Sequence, residues 1–208
     1  AGPDGVKALE ARISLQSLDE EAAAQSRLAI RPYPKELQQQ LILKDGSRIS
    51  LRPVKPEDEQ LYVNFFKQVA PKDMFLRFFR NLSELPSAEL ARMIQIDYDR
   101  EMAFIAIRSR DDKSKGNSKH SGNDKGNGTD ELLGEVRTST LPDNSVAEYS
   151  ILLREDMKGT GLGRQLMEKI IGYSRQRHTG AITGTVLAQN SGMLNLCQKL
   201  GFQLEPDA

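Results

Sequence analysis

The sequence predicts an α+β fold, with a central mixed and mostly antiparallel sheet flanked by helices on both faces. Two observations carry most of that prediction. Hairpin and turn signals join successive strand-like runs through the middle of the chain, and a strand–glycine loop–helix–strand unit follows them between residues 146 and 187. Amphipathic segments fill the remaining intervals, so both sheet faces have something to cover them.

Taken in order, Val6 to Leu15 carries enough β-branched and apolar residues for a lone strand, which needs a neighbour. It reads either as the end of an upstream domain or as a loosely ordered leader. Arg31-Pro32-Tyr33-Pro34 is a proline-punctuated linker. Leu37 to Lys44 and Arg48 to Arg52 flank Asp45-Gly46 as a hairpin. Glu57, Asp58 and Glu59 open a helix running to about Val69, with acids at its positive end. A second helix around Asp73 to Phe79 carries Phe75, Phe78 and Phe79, expected in the core. A third follows Pro86, capped by Ser87 and ending near Ile96. Glu101 to Arg108 is the next strand. Residues 110–130 hold almost no apolar side chain and predict a disordered hairpin insertion. Glu131 to Ser139 resumes the sheet, Leu141-Pro142-Asp143-Asn144 turns it, and Val146 to Leu153 returns with one acid, Glu148, inside it. Ala181 to Leu187 is a strand, Ser191 to Leu200 a short helix, and Phe202 onward the start of another strand.

The stretch Lys158-Gly159-Thr160-Gly161-Leu162-Gly163-Arg164 places three glycines at alternate positions at the mouth of an amphipathic helix. Backbone N–H groups there can converge on an anion, and the helix dipole favours a phosphate. A phosphate-binding nucleotidase loop needs Lys and then Ser or Thr after the last glycine, whereas Arg164 and Gln165 stand there. A dinucleotide fingerprint needs different glycine spacing at the first strand of a parallel sheet.

Composition narrows the function classes. Twenty-nine basic and twenty-nine acidic residues cancel, giving no electrostatic reason to propose nucleic acid or an anionic membrane as partner. The longest apolar run, Met102 to Ile107, is far shorter than the roughly 20 residues of a membrane span. Cys197 is the single cysteine, and His120 and His178 the two histidines, so neither a disulfide nor a zinc site can be assembled. These facts point to a reducing, cytoplasmic protein without a metal.

The glycine loop resembles the pyrophosphate-binding loop of the GNAT family of acyl-CoA-dependent N-acyltransferases, Gln/Arg-x-x-Gly-x-Gly/Ala, with Lys158 where Gln or Arg is usual. Asn190-Ser191-Gly192-Met193 with Lys199-Leu200-Gly201-Phe202 is similar to that family's closing motif. Tyr33-Pro34, Leu51-Arg52-Pro53, Pro56-Glu57-Asp58-Glu59 and Leu76-Arg77-Phe78-Phe79 resemble the C-terminal acetyltransferase domain of bacterial protein lysine acetyltransferases that carry an acyl-CoA-synthetase-like, NDP-forming region upstream. Residues 5–13 resemble the last strand of that region's ATP-grasp part.

The resemblance implies residues 1–34 as a remnant of such a region plus linker, and 35–208 as a GNAT domain lacking the family's final strand. It implies acetyl-CoA as co-substrate, bound by Lys158, Gly159, Thr160, Gly161, Leu162, Gly163, Arg164 and Asn190, with the Ile151 and Leu153 N–H groups facing the acyl-pantetheine arm. The acceptor would be a protein lysine, for example in an acyl-CoA synthetase. Lysine is protonated at neutral pH, so direct transfer needs a general base. Glu148 is the first candidate, on the strand that runs into the loop and at the family's catalytic glutamate position. Glu135 on the neighbouring strand is the second. Cys197 stands where many members have a tyrosine proposed as general acid. A sole cysteine on a short helix's apolar side is expected as packing rather than as an acyl carrier. A non-catalytic acyl-CoA sensor would keep the loop and need no base.

Overall fold

The computed structural model describes residues 32–82, 85–109 and 130–205. The expected strand Val6 to Leu15 and the insertion at 110–130, Asp130 apart, lie outside them. Among the described residues six strands form one sheet in chain order: β1 (Gln39–Ile42), β2 (Arg48–Pro53), β3 (Glu101–Arg108), β4 (Glu131–Thr140), β5 (Val146–Leu153) and β6 (Ala181–Thr183). Neighbours are antiparallel throughout except β5 and β6, which run parallel.

Local chemistry fixes the first hairpin. Leu43 N–H donates to Ser47 O and Gly46 N–H to Leu43 O, with Gly46 at φ 81°. This is a three-residue loop whose last position is left-handed. The carboxylate of Asp45 accepts from the Ser47 N–H and hydroxyl at 2.9 and 2.6 Å, which holds its pKa below the usual carboxylate range.

Helices α1 (Glu59–Phe66), α2 (Pro71–Phe78) and α3 (Ser87–Ile94) cover one face of the sheet, where Tyr62, Phe65, Met93 and Ile94 bury against Ala103, Ile105 and Leu152. Helices α4 (Leu162–Gln176) and α5 (Ser191–Lys199) cover the other, where Leu166, Met167 and Ile170 bury against Phe104, Leu133 and Val136. With helices on both sides, β3 is buried on both, which is why it reads as an unbroken apolar run. At the start of α1, Asp58 does more than complement the helix dipole. It is buried, takes both Arg52 Nη atoms at 2.8 and 2.6 Å, and accepts the Lys55 N–H at 2.7 Å. These charge-assisted bonds fasten α1 to β2.

Several expectations need correction. Pro86, not Ser87, precedes α3 as its cap, because its carbonyl accepts the first helical bond, from Leu90 N–H at 3.0 Å, while its backbone is still extended at ψ 141°. β6 stops at Thr183 instead of reaching Leu187, and the Tyr149 ring closes that edge. A side-chain carbon built on Gly184 would lie 2.5 Å from it. From Phe202 to Glu205 no strand forms. Gly201, at φ 86°, turns the chain after α5, Phe202 N–H bonds Cys197 O, and its ring packs 5.4 Å from that of Tyr149. Phe79 is 48% exposed rather than in the core. It ends α2 at φ 55°, a left-handed conformation that turns the ring outward.

Candidate active site

Strands β5 and β6 part after the pair Glu148↔Thr183, while β5 stays paired with β4 as far as Leu153. A cavity of about 770 Å³ opens at this fork. The backbone lining it follows from strand alternation. Arg154 N–H donates to Leu133 O at 3.0 Å, on the β4 side, so Leu153 and Ile151, one and three residues earlier, aim their N–H groups the opposite way, into the gap. The side chains alternate with the same parity. Glu148 and Ser150 pair with Ser139 and Arg137, Leu152 with Glu135, and all six share the face covered by α1–α3.

Glu148 is exposed and lines the cavity. Glu135 is on the same face but does not line it: it is 1% exposed and accepts a hydrogen bond from the Tyr62 hydroxyl, with Arg137 Nη2 at 3.4 Å. Burial and the Glu135 charge push the Tyr62 pKa well up. Burial works to lower the Arg137 pKa, but Glu135, Tyr62 and Glu101 together outweigh it and raise it. The second candidate carboxylate is therefore the anion of a buried network.

At the other end of the cavity the glycine loop turns into α4. Gly161 occupies the N-cap position at φ 93°, where a side chain is strained, and the nearest atom to a built Cβ is Lys44 Cε at 3.8 Å. Gly159, Gly163 and Arg164 also line the cavity. Thr160 instead turns inward, its hydroxyl donating to Met157 O at 2.7 Å and accepting from Leu162 N–H at 3.3 Å, while the Leu162 side chain is fully buried. Lys158 is committed elsewhere. Its ammonium meets both Asp73 oxygens at 2.8 and 2.7 Å and Glu155 at 2.6 Å. Desolvation works against that charge, but the two carboxylates outweigh it and raise the pKa. Asn190 caps α5 by accepting from Met193 N–H at 3.2 Å, and lines the cavity as well.

Sequence reasoning missed Lys44, Arg77, Phe79 and Tyr149, all of which line the same cavity. Arg77 Nε is buried without a hydrogen-bond partner, and burial lowers the Arg77 pKa, against the pull of Glu135 and Glu148. Lys44 reaches the site from the β1–β2 hairpin, a placement no local signal announces. Cys197 is 1% exposed, does not line the cavity, and lies with its Sγ 3.0 Å from the Tyr149 hydroxyl. Burial and that contact push the Tyr149 pKa up. Among the described residues no group of three or more His, Cys, Asp or Glu could hold a metal, and no helix is long and apolar enough to cross a membrane.

The model of the acetyltransferase (GNAT) family matches residues 76–202, more than half of the chain. The chain belongs to the GNAT family. A curated relative, Acetyltransferase PA5475 of Pseudomonas aeruginosa, is 26% identical over 167 residues, covering 79% of this chain and 81% of the relative. Among solved structures, the GNAT domain of S. lividans PAT superposes with a TM-score of 0.68 at 22% identity, covering 85% of this chain and 93% of that one. AAC(6')-Iy, solved in complex with the bisubstrate analogue CoA-S-monomethyl-acetylneamine, gives 0.52 at 15% identity, over 78% of this chain and 95% of that one. At such identities these structures share the fold. The forked β5, the glycine loop and the cavity are thus the parts of a GNAT acyl-CoA-dependent acetyltransferase domain.

Proposed function

We propose that this GNAT domain moves an acetyl group from acetyl-CoA to the ε-amine of a protein lysine, directly in a ternary complex, with Glu148 as general base. The observation that supports this most is the position of Glu148 at the fork. Its carboxylate lies at the cavity on the α1–α3 side, and the N–H groups of Ile151 and Leu153 on the same strand point into the gap.

The division of labour follows from that placement. The glycine loop and the first turn of α4 present backbone N–H groups to the pyrophosphate. Ile151 and Leu153 hold the pantetheine arm and polarise the thioester carbonyl. Leu76, Arg77 and Phe79 of the α2 end form the wall beside Glu148 against which the acceptor lies. Glu148 takes the ammonium proton, directly or through water. The amine then forms its bond to the carbonyl carbon, the C–S bond breaks, and the nitrogen's second proton passes to the departing thiolate, directly or through water, leaving the amide and the free thiol of CoA. No acyl-enzyme step is needed, and the burial of Cys197 argues against one.

The choice of a protein lysine, in an acyl-CoA synthetase or another metabolic enzyme, rests on the resemblance carried by Tyr33-Pro34 and Leu76 to Phe79. The test is to supply wild-type protein with acetyl-CoA and compare transfer to lysine-bearing proteins, an acyl-CoA synthetase among them, with transfer to small amines. Preferential modification of protein lysines is expected. Transfer confined to small amines would overturn the acceptor assignment, and acetyl-CoA binding without transfer to either would leave a sensor.

A further inference from the structure

Resting on the reading that the glycine loop receives the pyrophosphate of acetyl-CoA, we infer that Lys44, at the tip of the β1–β2 hairpin, supplies the cation that neutralises it. The loop's own lysine is poorly placed to do so. Lys158 is shared between Asp73 and Glu155, at 2.6 to 2.8 Å, so that group of three carries one more negative than positive charge. Arg164, the next cation along the loop, has its Nε on Glu168 at 2.8 Å. A pyrophosphate entering here meets backbone donors and cations that already answer carboxylates, Lys72 included, whose charge is felt at Glu155. Without a further cation those paired charges give the loop no net positive field to hold it.

Lys44 meets the requirement on three counts. Its Cε is 3.8 Å from the position of a Cβ on Gly161, the N-cap of α4, its ammonium is one bond from that carbon, and the residue lines the same cavity. Its charge is uncommitted: no ion pair or hydrogen bond joins it to another described residue, and the adjacent carboxylate of Asp45 is taken by Ser47. Its backbone is anchored, because Leu43 is 3% exposed in the core and bonds across the hairpin to Ser47 and Gly46. An exposed side chain on an anchored turn can swing onto a ligand at modest cost. Lys72 and Lys199 also line the cavity, but it is Lys44 that lies in van der Waals reach of the N-cap glycine.

The experiment titrates the full chain and Lys44→Met by calorimetry with CoA, 3′-dephospho-CoA and pantetheine, with Lys44→Arg as the charge-conserving control. Losing one phosphate contact should raise the Kd for CoA and for 3′-dephospho-CoA about tenfold, roughly 1.4 kcal/mol, and flatten the salt dependence. Pantetheine binding should be unchanged, and Lys44→Arg should restore most of the affinity. A loss seen with CoA alone would move Lys44 to the ribose 3′-phosphate and overturn the assignment, as would unchanged CoA affinity or an equal loss for pantetheine. Wild-type protein that binds none of the three would instead sink the reading of the loop on which the inference rests.

Discussion

Exchanging Glu148 and Glu135 one at a time for glutamine should separate catalysis from stability. Glu148 is exposed at the fork, and glutamine preserves its shape, so Glu148→Gln should change stability by no more than about 0.5 kcal/mol. The same change removes the basicity the reaction needs, and kcat should fall by roughly 10² to 10⁴. Glu135→Gln works the other way. Its amide oxygen can still accept from Tyr62, but the charge opposing Arg137 is gone, and among the described residues Arg137 has only Glu101, at 3.7 Å, as a further anion in contact. Breaking a buried pair from one side costs about 3 to 5 kcal/mol, a large share of a domain's usual 5 to 15. Urea melts give the first quantity. Initial rates per folded molecule, at saturating acetyl-CoA with a lysine-bearing protein, give the second. The rate deficit of Glu148→Gln should also shrink as pH rises toward the lysine pKa of about 10.4, because more acceptor is then already neutral. Wild-type turnover in Glu148→Gln at neutral pH, or a fully stable Glu135→Gln that is inactive, would refute the assignment of roles.

Gly161→Glu should fold, at a cost of about 1 to 2 kcal/mol for the left-handed backbone, and lose acetyl-CoA binding; calorimetry showing intact affinity would refute the cradle. Replacing residues 110–129 by a short turn should leave folding and transfer intact, since loop closure entropy changes slowly with length and the Ser109 hydroxyl already bonds Asp130 at 2.9 Å. Loss of transfer with the fold preserved would mean that the segment touches the acceptor. The Lys158 clamp has a pH signature. Bonding to Lys158 and Asp73 lowers the Glu155 pKa, so its contribution is present above the ordinary carboxylate pKa and is lost as pH falls through the lowered one. The raised Lys158 pKa keeps the opposite charge in place until pH climbs past the ordinary lysine range. The stability deficit of Glu155→Gln should therefore be present at pH 7 and shrink as pH falls below the ordinary carboxylate range; a deficit independent of pH would refute the linkage.

Strands bounded by strong local signals were legible residue by residue. Glu101–Arg108 and Val146–Leu153 match their expected limits, because turns or loops bracket each and apolar side chains fill them. Glu148 was legible for the same reason, as the one acid in an apolar strand. What escaped is long-range. Lys158 and Asp73 are 85 residues apart, and nothing near either announces that they meet. Glu135 and Glu148 look alike in sequence as acids on adjacent strands. They differ because α1 brings Tyr62 to one and leaves the other at the cavity. Phe79 was read as core because aromatic residues usually are, but the chain reversal ending α2 overrode that preference.

The alternation of β5 makes Gly134 matter to the chemistry without touching it. Even-numbered residues of β5 send side chains toward the α1–α3 face, and beyond the pair Glu148↔Thr183 the odd-numbered Ile151 and Leu153 send their N–H groups into the gap. In the proposed mechanism the base and the carbonyl donors are thus written in opposite phase on one strand. A slip of one residue would exchange the phases, turning the acid toward α4 while handing the donors to β4. Gly134 guards against this at the end of the pairing. It sits where β4 bulges against β3, and any side chain there would meet Leu153 Cδ2 at 2.4 Å and Leu152 O at 3.1 Å. Its missing side chain works as a phase lock, so under the proposed roles damage at a buried glycine on the neighbouring strand would be felt as damage to the reaction.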